Sequence, residues 1–167
     1  MTGPIVRKTR NAGGTGNMGE SNTDLLEKVE ASLLPLVTSL HLTILEHSES
    51  NSFDNATVTL QAGHVRVRIV RERGQVFVDL ASASAPHTWF DSAVVMDHLG
   101  LSDEAGFHDR ASTALFDGIG SFLRSFWSEL TAAFDPATFA ATNRALRSLR
   151  DTRAAGDLGF KQGGGAA

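Results

Sequence analysis

The sequence predicts an α+β fold: a four-stranded antiparallel β-meander packed on one face by an N-terminal helix and three C-terminal helices. Three observations predict it. Segments in the middle of the chain alternate apolar and polar residues with a period of two. The flanking segments place apolar residues three or four apart. Strand and helix patterns are segregated along the chain, which separates α+β from the alternating order of a parallel α/β sheet. With 167 residues the chain builds one domain with a sizeable core and is short for two.

Residues 1–22 hold six of the glycines and prolines and few apolar groups, so they are expected to form a mobile tail. The Gly-rich stretch 156–167 is expected to do the same, leaving one domain over 23–155. Helix one is predicted from Thr23, a suitable N-cap, with Asp24 and Glu27 in the first turn, where negative charge suits the helix dipole. Leu26, Val29, Leu33, Leu36 and Leu40 form its apolar stripe, and Pro35 either kinks the helix or ends it.

Strands follow at 41–47, 56–61, 64–70 and 75–80. A two-residue turn at Ala62-Gly63 and a four-residue turn over 71–74 pair Leu60 with Val65 and Val67 with Val78. Both hairpins then put Val58, Leu60, Val65, Val67, Ile69, Val76, Val78 and Leu80 on one face, a consistency that a one-residue slip would destroy. The segment 46–55 reads as a long polar loop, with Phe53 expected to tuck against the core edge.

The sequence Thr88-Trp89-Phe90-Asp91 reads as a capping box opening a helix that stops at Gly100. A polar connector leads to a long helix over 112–133, striped by Leu115, Ile119, Phe122, Phe126, Leu130 and Phe134. Gly118 and Gly120 weaken it by up to about 1 kcal/mol each and suit close approach to another backbone. Asp135 and Pro136 open the last helix, with Phe139, Leu146 and Leu149 inward and Arg144, Arg147, Arg150 and Arg153 outward. Those arginines read as a solvated face.

Composition narrows the chemistry. The absence of cysteine removes disulfides, thiol catalysis and thiolate zinc sites, and fits a reducing cytoplasm. Arg7, Lys8 and Arg10 are not followed by an apolar signal-peptide core, and residues 31–44 are too few and too polar to span a membrane. A cytoplasmic location is expected. A net charge of −4 weakens bulk attraction to nucleic acid or anionic lipid. No G-x-S-x-G or phosphate-cradling motif is present, and the Gly-rich run 11–16 follows no strand. His98, Asp103, Glu104, His108 and Asp109 are metal-competent residue types, but they lack a ligating spacing such as H-E-x-x-H and read as a solvated connector. No catalytic residue, metal or cofactor is assigned.

The candidate site is the polar face of the sheet. In the register above, Arg66 lies opposite Asp79 and Thr59, and Arg68 opposite Thr57 and Phe77. Cross-strand pairing alone accounts for such residues. A docking surface formed by Arg66, Arg68, Arg71, Arg73, Phe77 and Asp79 is the functional alternative, because guanidinium groups favour bidentate contacts to acidic partners.

Residues 53–56, 74–80 and 89–91 carry a pattern that resembles one found in small bacterial proteins of unassigned function. In size, charge and fold class the chain is also similar to immunity proteins of bacterial toxin systems, by analogy only. The function expected is therefore a non-enzymatic protein-interaction protein, an immunity-type inhibitor or adaptor using the polar sheet face. The alternative is a nucleic-acid-binding module using the same arginines and the basic N-terminal arm. No membrane partner is expected, and a homodimer through a free sheet edge is compatible with the meander.

Overall fold

The computed structural model describes residues 25–50, 55–101 and 112–157. The Thr23 cap, most of the expected tails, Phe53, and four of the five metal-competent residues lie outside them. The described residues form an α+β fold with one antiparallel sheet of five strands and four helices. In chain order these are α1 (Leu25–Ser39), β1 (Thr43–Ser50), β2 (Asn55–Ala62), β3 (Val65–Glu72), β4 (Gln75–Ser82), β5 (Phe90–Asp91), α2 (Ser92–Leu99), α3 (Ser112–Ala133) and α4 (Phe139–Asp157). The strands lie in the order β1-β2-β3-β4-β5.

The meander is confirmed, with four corrections. In both hairpins the register is displaced by two residues from that expected: Leu60 pairs with Val67 and Val67 with Leu80. The first turn is Gly63-His64, which puts glycine at the first central position with φ 56°; the expected turn would have forced that sign onto Ala62. The second is Arg73-Gly74, with φ 51° and 78°, the signs of a type I′ turn. A shift of two preserves the side-chain period, so every apolar partner stays on its face.

The other two corrections concern strand extent. Residues 46–50 belong to β1 and are not loop, although they lack apolar alternation because an exposed edge strand has little to bury. Phe90-Asp91 adds a fifth strand, so Thr88 does not cap α2. Asp91 does, accepting the Ala93 N–H at 2.7 Å, while Gly100 closes the helix in the left-handed region.

Val58, Leu60, Val65, Val67, Ile69, Val78 and Leu80 are buried in one cluster with Leu25, Val29, Leu33 and Leu36 of α1 and the inward residues of α2, α3 and α4. α1 continues through Pro35 to Ser39. α3 breaks its regular geometry at Phe126 (φ −117°, ψ 17°). Gly120 faces the side chains of Leu33 and Leu36, not another backbone: a Cβ there would sit 3.4 Å from each. Asp135 accepts the Ala137 N–H through its side chain and the Phe139 N–H through its carbonyl, anchoring the turn that leads into α4.

Two polar contacts dock the sheet on the α3–α4 junction. The His64 Nε2 donates to the Thr131 carbonyl at 2.8 Å, and the buried Ser82 hydroxyl donates to that of Phe134 at 3.1 Å. α4 is tied to α2 by an Arg153–Asp97 ion pair. No described helix is long and apolar enough to cross a membrane.

Candidate functional site

The face of the sheet opposite the core carries three cross-strand rows. The first runs Gln61–Arg66–Ala81, the second Glu46–Thr59–Arg68–Asp79–Asp91, and the third Ser48–Thr57–Val70–Phe77. The corrected register therefore changes the partners of both arginines. Arg68, not Arg66, lies opposite Asp79 and Thr59. Arg66 lies between Gln61 and Ala81, and its Nε donates to the Gln61 side chain at 2.8 Å.

Arg68 is the best-held side chain of this face. Its Nε and one terminal nitrogen both donate to Asp79 Oδ2, at 3.1 and 2.6 Å. Its guanidinium carbon stands 4.4 Å from the centroid of the Trp89 ring, a cation–π contact. Trp89 reaches this position because Phe90 pairs with Leu80 in β5, so Trp89 falls on the outer face by alternation. The side chains of Arg68 and Asp79 are only 31% and 18% exposed, and Thr59 beside them is fully buried. The centre of the face is thus a packed polar layer.

The site residues expected from sequence divide into three groups. Arg66, Arg68, Phe77 and Asp79 share the outer face. Arg71 does not: it follows Ile69 by two residues, so it points to the core side, paired with Ala56 and Val76. Arg73 sits at the β3–β4 turn, exposed at the end of the sheet. Grouping Arg71 with Arg66 and Arg68 is therefore corrected by one step of alternation. Trp89 was missed because a two-residue strand offers no periodicity to detect.

The electrostatics differ from a basic docking surface. Glu46, Glu72, Asp79 and Asp91 share the outer side with Arg66 and Arg68, so acids outnumber bases there. The apolar component is Phe77, 40% exposed beside the half-buried Val70. A second open feature, a cleft at the far end of β1–β3, is lined by Ser48, Glu49, Asn55, Thr57, Arg71 and Glu72. Among the described residues no histidine lines it. Among the described residues no three His, Asp or Glu side chains gather to hold a metal ion.

Comparison with protein families, with curated proteins and with solved structures finds no match to this chain.

Proposed function

We propose that the protein is a non-enzymatic interaction module that takes another polypeptide on the outer face of its sheet, in the manner of an inhibitor or adaptor. The observation that carries this reading is Phe77, a large apolar side chain left 40% exposed in the middle of an ordered strand. Beside it stand Val70 and the Arg68–Asp79–Trp89 assembly, whose geometry is set before any partner arrives. Aromatic and arginine side chains held in place are the usual anchors of protein interfaces, because little rotamer entropy is lost when they are covered.

The charge balance favours a polypeptide over nucleic acid. Arg68 is neutralised by Asp79, and Arg71 points to the other side, so the expected four-arginine surface reduces to Arg66 and Arg73. Phosphate binding is driven by several clustered cations.

The test is capture of partners from native lysate, with and without nuclease, by the wild-type chain, by Phe77→Ser and by Arg147→Glu on the exposed side of α4. One polypeptide that survives nuclease, persists with Arg147→Glu and disappears with Phe77→Ser supports the reading. Binding that is nuclease-sensitive and falls steeply with salt transfers the function to nucleic acid.

A further inference from the structure

The two ends of the sheet are unequal. β5, at one end, is two residues long and too short to template another chain. β1, at the other, runs for eight residues, all exposed but Ile44, and its far side has no neighbouring strand among the described residues. Its ladder with β2 is interrupted between Ile44 and Glu46, where Leu45 is one residue extra. From Glu46 against Thr59 to Ser50 against Asn55 the ladder then runs unbroken. A bulge bends the start of an edge away from pairing, so the regular stretch 46–50 is the part able to take a further strand.

The two faces of that stretch carry different chemistry. His47 and Glu49 pair with the buried Val58 and Ala56 and so lie on the core side; Glu46, Ser48 and Ser50 lie on the outer side. The Leu25 N–H donates to Glu49 Oε1 at 3.1 Å, which holds this carboxylate on the α1 side. A second copy added antiparallel is related by a two-fold axis perpendicular to the sheet, so outer residues face outer residues and core-side residues face core-side ones. Centring this pairing on Glu46 or on Glu49 sets a glutamate against its own copy, which is unfavourable. Centring on His47 sets two imidazoles together and brings Glu49 opposite the extra Leu45. Centring on Ser50 carries half the seam beyond the strand. Centring on Ser48 sets His47 against Glu49 twice and Glu46 against Ser50 twice, with no like charges opposite. A parallel arrangement about a two-fold along the strand sets each glutamate beside its own copy.

We propose that two copies of this chain pair antiparallel along residues 46–50 of β1, centred on Ser48, and join their sheets into one. The main chains supply the hydrogen bonds across the seam, and the two His47–Glu49 pairs select the register. An imidazole beside a carboxylate donates a hydrogen bond when neutral and adds an ion pair when charged. So short a seam is small for a protein interface, and the dimer is therefore weak and forms at high chain concentration. The same symmetry brings the outer faces of both copies, each with its Phe77, to one side of the joined sheet. The outer-face reading does not depend on this one, since Phe77 lies on β4, separated from β1 by β2 and β3.

The chain has no cysteine, so single cysteines report the register directly. Ser48→Cys places two thiols opposite each other across the two-fold axis. Cross-strand Cβ atoms there stand about 4.5–5.5 Å apart, close to the range a disulfide spans. Under mild oxidation of the concentrated full chain, Ser48→Cys should form a covalent dimer. Glu46→Cys, whose thiols would lie about 13 Å apart along the seam, should stay monomeric. So should Ser148→Cys on the exposed side of α4. Adding His47→Glu to Ser48→Cys sets carboxylates against Glu49 and should remove the cross-link while the thermal transition stays. In sedimentation equilibrium the mean mass of the wild-type chain should rise with concentration, and that of His47→Glu should not. Ser48→Cys that cross-links no more than Ser148→Cys overturns the proposal. So does faster cross-linking by Glu46→Cys, which would assign another register.

Discussion

At the scale of single residues, the outer face shows how environment decides the worth of a charge. Arg68 and Asp79 are too covered for a freely screened surface pair and too exposed for a buried one. Asp79→Asn should therefore cost about 1–2 kcal/mol, between the values for exposed and buried pairs, by chemical denaturation. A double-mutant cycle with Arg68→Ala and Trp89→Ala should return a coupling of about 0.5–1 kcal/mol, and zero coupling would mean that the ring only packs. Arg73 presents the reverse case. It holds φ 51° at the β3–β4 turn, where asparagine before glycine is the preferred pair. Arg73→Asn should raise stability by about 0.5–1 kcal/mol with an unchanged fold, read as a higher denaturant midpoint. Neither role was legible in the residue names, because both depend on a register displaced by two.

At the scale of elements, alternation and helical spacing located the inward faces well but not the ends. β2, β3 and β4 are readable because apolar residues face the core at every second position, with mostly polar residues between them. The far half of β1 carries no alternation because both of its faces are exposed, and β5 carries none because two residues have no period. Gly120 lies at the contact of α1 with α3. A methyl group there meets Leu33 and Leu36 at 3.4 Å, an ordinary contact distance, while helix propensity favours alanine by about 1 kcal/mol. Gly120→Ala should thus leave the melting temperature equal or slightly raised. Gly120→Leu should lower stability by about 1–3 kcal/mol through overpacking, and a neutral leucine would show that the two helices separate easily.

At the scale of the whole molecule, one hydrophobic cluster joins the sheet to all four helices, and Val67 lies at its centre with no exposure. Val67→Asp should unfold the domain, seen as loss of a cooperative thermal transition, because a buried carboxylate there has no partner. Phe77→Ser should keep that transition and lose only the partner. The pair of variants separates folding from binding, a separation that substitutions at Arg68 cannot make, since they also break its ion pair with Asp79.

The sequence by itself determined the fold class, the meander and the inward face of each long element, because a period of two or of 3.6 survives any even shift in register or small error in length. It also excluded thiol and disulfide chemistry outright. Tertiary structure decided what stands beside what: that Arg68 and not Arg66 meets Asp79, that Arg71 points to the core side, and that Trp89 lies over the guanidinium. Those outcomes follow from turn geometry and from a two-residue strand, which are set by backbone sterics at a few positions and by packing across the sheet. Neither leaves a periodic trace in the chain.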